Sequence, residues 1–177
     1  MPKSAVPFLG TLSKQRDKAI EPIAPRRVAG SGTCAMLKHH DLNALLASFK
    51  EAQTLDQLHK AMMRATRVLG FSQFAMGHHV NLQSPPEGAI HLTTYNEDWI
   101  SHGLERGYFG DDPIHLASTR TVNGFLWRDV AEIIQLTARH KQVLAEATGF
   151  GLGAGFTVPV YLPGEFHGSC SFATCRP

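Results

Sequence analysis

Two stretches of this chain each pair short segments in which apolar and polar residues alternate, and that pairing limits the folds open to it. Phe71 to Val80 places Phe74 and Met76 on one face and Gln73, Ala75 and Gly77 on the other. The turn signal Ser84-Pro85-Pro86-Glu87-Gly88 follows, and Ala89 to Thr94 reads as the returning strand of a hairpin. Gly155 to Val160 and Gly168 to Thr174 read as the last two strands, and Phe125 to Trp127 as a short fifth one. Helical spacing fills the intervals. Leu42, Leu45, Leu46 and Phe49 predict one helix; Leu55, Leu58, Met62, Ala65 and Leu69 predict another, restarted at Thr54 and Asp56 and ended by Gly70. Asn96 is expected to cap a helix over Glu97 to Arg106, with both acids in the first turn where the dipole favours them. Pro113 starts a short helix, and Arg128 to Phe150 is mostly helical with a break near Thr137. Hairpins with helices between them predict an α/β fold: an α-β-α sandwich with a central five-stranded antiparallel sheet flanked by helices, not a parallel βαβ sheet.

Length and charge narrow the class further. At 177 residues the chain suits one domain, and its 18% charged fraction is too low for global disorder. No run approaches the roughly 18 apolar residues of a membrane span. The net charge of +2 is too small to argue for nucleic acid. Residues 1–27 hold six basic groups against Asp17 and Glu21, so the basic character is a tail. We expect a flexible basic arm over residues 1–35, after which a single domain fills 36–177. Three cysteines, an odd number without C-x-x-C spacing, argue against a disulfide framework or a zinc ribbon and suit a reducing cytoplasm.

The densest cluster of chemically useful residues is Tyr95, Trp99, Asp112 and Trp127, which contains both tryptophans of the chain. Large aromatic faces with single polar tips suit a mostly apolar ligand with a small polar head, and Asp112 could accept a hydrogen bond from a ligand amide. The same pattern also fits core aromatics beside an aspartate that caps the helix begun by Pro113. Other chemistries find less support. The ten histidines include the adjacent pairs His39-His40 and His78-His79, but neighbours on a strand point to opposite faces, and no H-E-x-x-H spacing exists, so no metal site is expected. The glycine-rich run Gly151 to Gly155 lacks the Lys-Ser/Thr end of a phosphate loop and does not precede a helix. There is no G-x-S-x-G elbow, and Ser171 has no evident base, so the chain is not expected to be an enzyme.

An ordered set of motifs carries a resemblance. Tyr95-Asn96-Glu97-Asp98-Trp99, Arg106-Gly107-Tyr108, Asp112-Pro113 and Trp127 stand in sequence. Leu69-Gly70-Phe71 and Phe74-Ala75-Met76-Gly77 precede them. Phe150-Gly151-Leu152, Gly155-Phe156-Thr157-Val158-Pro159 and Gly168-Ser169-Cys170-Ser171-Phe172-Ala173 follow. Over about residues 42–174 the set resembles the autoinducer-binding domain of LuxR-type quorum-sensing regulators. The resemblance implies a buried cavity for an N-acyl homoserine lactone, between the sheet and one helical layer, with no cofactor. It implies that Trp99 donates its indole N–H to the lactone carbonyl and that Asp112 accepts from the ligand amide. Tyr95 would donate to the acyl carbonyl, with Ser171 as a second donor, and Trp127 would wall the lactone ring. Ala75, His79, Ala89, His91, His115, Leu152 and Thr157 would line the cavity.

Some positions depart from the family's pattern. Asn96 stands where proline is common. His79, His91 and His115 stand at or near positions that the family often fills with apolar side chains, while Ala75, Ala89 and Gly103 are small. The expectation is a roomy, partly polar cavity whose ligand carries an oxo or hydroxyl group or an aryl tail, or is not a lactone. Full-length regulators of this family add a helix-turn-helix domain, and a further helix normally follows the last strand. Neither is visible before Pro177, so we expect no direct DNA binding by this chain and no membrane association. Cys170 and Phe172 alternate with the residues facing the ligand, and without that helix their face is expected to be exposed. A homodimer is the expected assembly. The alternative is a naturally truncated regulator that acts as a heterodimer with a full-length partner.

Overall fold

The computed structural model describes residues 39–81, 84–161, 163–164 and 166–175. All of them belong to the unit Met36–Pro177. The expected arm over residues 1–35 lies outside the described residues, as do the side chains of His39 and His40.

Local chemistry sets where each element begins. Helix α1 spans His39–Glu51. Thr54 then caps α2 (Leu55–Val68): its hydroxyl accepts from the Gln57 N–H at 3.2 Å while Gln57 Oε1 accepts from the Thr54 N–H. Gly70 ends α2 with φ +84°, and the Phe71 N–H bonds back to the Thr66 carbonyl at 2.9 Å. That cap takes up Phe71, so β1 is Gln73–His78, shorter than the alternation predicts. Likewise the Ala89 N–H is held in the turn by the Pro86 carbonyl at 3.2 Å, so β2 is only His91–Thr93. Asn96 Oδ1 accepts from the Asp98 N–H at 2.8 Å and starts α3 (Glu97–Arg106). A 3-10 turn (Tyr108–Gly110) leads to α4 (Pro113–Ser118), then β3 (Phe125–Leu126) and a second 3-10 turn (Trp127–Asp129). Trp127 therefore leaves the predicted strand. Helices α5 (Val130–Ile133) and α6 (Ala138–Gly149) follow, the latter capped by Thr137, and β4 (Ala154–Val160) and β5 (Gly168–Thr174) complete the sheet.

The sheet is five-stranded and antiparallel, in the order β2-β1-β5-β4-β3, as expected. Its register separates two faces. Phe74 pairs with Phe172, and Met76 with Cys170, on one face; Ala75 pairs with Ser171, and Gly77 with Ser169, on the other. The first face packs under α1 and α2, where Leu45, Met62, Ala65, Phe74 and Phe172 form a buried core with Cys170 against it. This corrects the expectation that the Cys170–Phe172 face would be bare. The pattern of α1 and α2 shows apolar stripes but not which sheet face they cover. Among the described residues, the β3–β4 portion of this face stays open, with Leu126, Val158 and Val160 exposed. The second face looks toward α3, α4 and α6. Among the described residues, no helix is long and apolar enough to cross a membrane.

Candidate functional site

Between the second sheet face and helices α3, α4 and α6 lies a cavity of about 490 Å³, within the range that holds a drug-sized ligand. Its floor is Ala75, Gly77, Ser169 and Ser171, whose small side chains leave the space that larger ones would fill.

Three devices place polar groups around it. The Asn96 cap fixes the start of α3, so that Tyr95 and Trp99 both reach the cavity across the junction between β2 and α3. The Trp99 ring is held against Phe150 at 5.4 Å and stacks on His102 at 6.1 Å. His102 is fixed in turn by Glu146 of α6, 2.6 Å from its Nε2, and Glu146 also accepts from the Tyr108 hydroxyl at 2.6 Å and from Gln142 at 2.8 Å. The Tyr108, His102 and Gln142 hydrogen bonds hold the Glu146 carboxyl down at about 2. Arg139 lies over the Tyr108 ring at 4.6 Å and donates to Asp111 at 3.1 Å. These contacts tie α3 to α6 around Trp99.

Asp112 is the second device. Its Oδ1 accepts from the Ile114 N–H at 2.8 Å and from the His115 N–H at 3.4 Å, which starts α4 behind Pro113. The helix-cap and cavity readings of Asp112 therefore hold together. Oδ1 serves the helix, while Oδ2 stands 3.9 Å from His115 Nδ1, beyond hydrogen-bond reach.

The third device is a relay on the sheet. Trp127 Nε1 donates to Thr157 Oγ1 at 2.9 Å, and Thr157 Oγ1 lies 2.8 Å from Ser171 Oγ. Thr157 is fully buried, and Ser171 Oγ is the acceptor within reach of its own proton. The relay links Trp127, Thr157 and Ser171, and when Thr157 gives its proton to Ser171 the Ser171 hydroxyl is left to donate into the cavity.

These groups define what the head of the site can hold. Among the described residues, neither the Tyr95 hydroxyl nor the Trp99 indole N–H has a hydrogen-bond partner. Burial first, then the Asp112 carboxylate, pushes the Tyr95 hydroxyl far up, so it stays a donor. Three donors and one carboxylate, beside the apolar packing of Ala147, Leu152 and Ala173, suit a neutral molecule with several carbonyl oxygens and one N–H.

Of the residues expected to line the cavity, Ala75, His79, His91, His115 and Leu152 do so alongside Tyr95, Trp99, Asp112, Trp127 and Ser171. Two do not. Ala89 is held in the turn before β2, and Thr157 lies behind Ser171 and Trp127 as the middle of the relay. The polar tip of Trp127 is likewise engaged by Thr157, so its ring is what it offers the cavity. Sequence reasoning missed Ser169, although its position two residues before Ser171 signals the same face, and it missed Val143 and Ala147 of α6, four residues apart on one helical stripe. Among the described residues, no group of three side chains is placed to hold a metal ion.

His79, His91 and His115 gather toward the Gly77–Ser169 level of the sheet, with His115 still 3.9 Å from Asp112. The His79 and His115 rings stack with centroids 4.7 Å apart, and His79 Nε2 lies 2.8 Å from Ser169 Oγ. Burial first, then the His115, His167 and His78 rings, holds His79 down at about 4, and burial likewise lowers His91. An unfolded histidine titrates near 6.5. The stability that His79 contributes as a neutral ring is therefore complete above pH 6.5 and is lost as the pH falls toward 4. Glu146, depressed from 4.5 to about 2, loses its contribution only below pH 4.5. We expect urea midpoints to fall between pH 6.5 and 4.5 and His79→Gln to flatten that slope; an unchanged slope in the variant would remove His79 from the account.

The comparisons with known proteins bear on the fold and the family. The CepR2 factor of Burkholderia cenocepacia, described as an N-acylhomoserine lactone dependent LuxR family transcription factor, matches with a TM-score of 0.62 at 16% identity, over 76% of this chain and 76% of that one. SdiA in complex with octanoyl-rac-glycerol matches at 0.60 and 20% identity, over 77% of this chain and 53% of that one, so this chain spans about half its length. A solution structure of Escherichia coli SdiA 1–171 gives 0.54 at 21% identity, over 77% and 76%. At such identities the likeness establishes the fold. No curated protein gives a significant match. A family profile described as the autoinducer binding domain matches residues 54–177, the greater part of the sequence, and on that match the chain belongs to the autoinducer-binding domain family of LuxR-type regulators.

Proposed function

We propose that this chain binds an N-acyl homoserine lactone in the cavity through Tyr95, Trp99, Asp112 and Ser171, with Trp127 walling the lactone ring. The family is one of regulatory domains that bind a small-molecule autoinducer, not of enzymes, and the autoinducer is not a cofactor. The observation that carries the reading is the head of the site: the Tyr95 and Trp99 donors stand beside the Asp112 carboxylate, which matches the carbonyls and the single N–H of an acyl homoserine lactone. Each ligand group that loses water there without a partner costs about 1–3 kcal/mol, and each buried methylene of the tail contributes about 0.8 kcal/mol. Occupancy stabilises the folded state by mass action.

The test separates the roles of Asp112. Asp112→Asn keeps an oxygen for the α4 cap but loses the charge; Asp112→Ala loses both, at about 1 kcal/mol of stability for the cap. In calorimetric titration with acyl homoserine lactones of varied tail, both variants are expected to lose affinity roughly ten- to 100-fold. Trp99→Phe, which keeps a ring without the N–H, is also expected to weaken binding, while Asp129→Ala is not. Equal affinity in all four would sink the site assignment.

A second reading, a non-lactone acyl ligand, is favoured by His79, His91 and His115 at the tail end. Binding of an acyl ligand without any lactone head would support it. A cytoplasmic sensor that pairs with a second copy or with a full-length regulator completes the proposal, and native mass with and without lactone tests that pairing.

A further inference from the structure

The tail end of the cavity is chemically unlike an alkyl pocket. Ser169 stands two residues from Ser171 on β5, about 7 Å along the strand from the head of the site. Around it, four histidines border the space, and one of them, His78, already accepts at Nδ1 from the Ile90 N–H at 3.2 Å. His91 lies over Gly77, where an added Cβ would come 3.1 Å from His91 Cδ2. Among the described residues, neither His91 ring nitrogen has a hydrogen-bond partner. His115 has only the Asp112 carboxylate at 3.9 Å. His79 uses Nε2 on Ser169, while its Nδ1 is buried without a partner. His79 Nδ1 is already shut away from the cavity, so the His91 and His115 nitrogens carry the argument: a plain alkyl tail laid against them would pair none of them, at a cost for each.

We propose that His91, His115 and the His79–Ser169 pair form a tail subsite that selects ligands whose tail ends in a neutral hydroxyl group. This rests on the binding reading above and goes on to name the class of tail. A neutral imidazole offers one donor and one acceptor, and a hydroxyl group can meet both. An anionic tail suits the subsite less well. Burial keeps His79 and His91 in the uncharged form, and the Asp112 carboxylate lies close by. The hydroxyl can be carried by an alkyl chain or by a phenol; the flat His79–His115 stack gives a phenol a surface to lie on.

The experiment titrates the full chain with lactones that share a head and length but end in methyl, in primary alcohol or in 4-hydroxyphenyl. Either hydroxylated tail is expected to bind at least about tenfold more tightly than the methyl tail. His91→Phe is expected to abolish that preference and His91→Gln, which keeps a donor and an acceptor, to retain part of it. The same tails on a glycerol ester read the subsite without the lactone, so failure of the head does not hide the tail: a hydroxyl preference there supports the proposal even if no lactone binds. Equal or tighter binding of the methyl tail overturns it, as does a preference untouched by His91→Phe or an absence of binding by every tail on both heads.

Discussion

Gly155→Ala is expected to displace Trp127 and to lose ligand retention with stability. A Cβ at this position would come 2.5 Å from Trp127 Cε2, 2.7 Å from Cδ2 and 2.7 Å from the Phe172 carbonyl oxygen. None of these is the far end of a flexible side chain, so the ring and the strand must both shift. Overpacking of this kind costs about 1–3 kcal/mol, and a lost Trp127–Thr157 hydrogen bond adds about 1 kcal/mol. Because that bond orients Thr157 and thereby Ser171, the damage reaches the head of the cavity. Thermal melts and lactone titration of the variant check it. A native melting temperature with full affinity would contradict this account of Trp127.

Phe74→Ala is expected to lower stability by about 3–5 kcal/mol, a large share of the 5–15 kcal/mol of an ordinary domain. The ring is fully buried, packs against Leu45, Met62 and Phe172, and tilts on His59 at 5.3 Å. It lies on the face away from the cavity, so whatever fraction stays folded should keep its ligand affinity. Urea denaturation measures the first effect and titration of the folded fraction the second. Leu126→Ala, at an exposed position on the same face, should cost far less. Comparable losses in the two variants would mean that the α1–α2 side is not the core that holds the sheet.

The elements legible in the sequence were those with local causes. Thr54, Asn96, Asp112 and Thr137 each cap a helix where a short polar side chain precedes the apolar pattern, and strict alternation marked β4 and β5. The strand ends were less legible. Phe71 carries a strand-like side chain, but its N–H belongs to the α2 cap, and Ala89 belongs to a turn. Long-range facts were not legible at all. That α1 and α2 cover Phe172, or that Thr157 stands between Trp127 and Ser171, depends on sheet order, which periodicity does not carry. The cluster of Tyr95, Trp99, Asp112 and Trp127 could be picked out because rare residue types fall close together. The alternation of β5 signals that Ser169 shares a face with Ser171, but not its hydrogen bond to His79, which depends on how β1 and β5 pair.

Asp112 begins a helix with one oxygen and faces the cavity with the other, and Trp127 is anchored through Thr157 to the sheet. Substitutions at the head of the site therefore damage the scaffold along with recognition. At the histidine end His79 is tied to Ser169, but His91 and His115 carry less of this burden: His91 has no hydrogen bond to any described side chain, and His115 reaches Asp112 only at 3.9 Å. Inherited variation, or a laboratory library, can reshape that end while the chain goes on folding. The division of labour makes the domain retunable, with a fixed reader for what its signals share and a tolerant one for what distinguishes them.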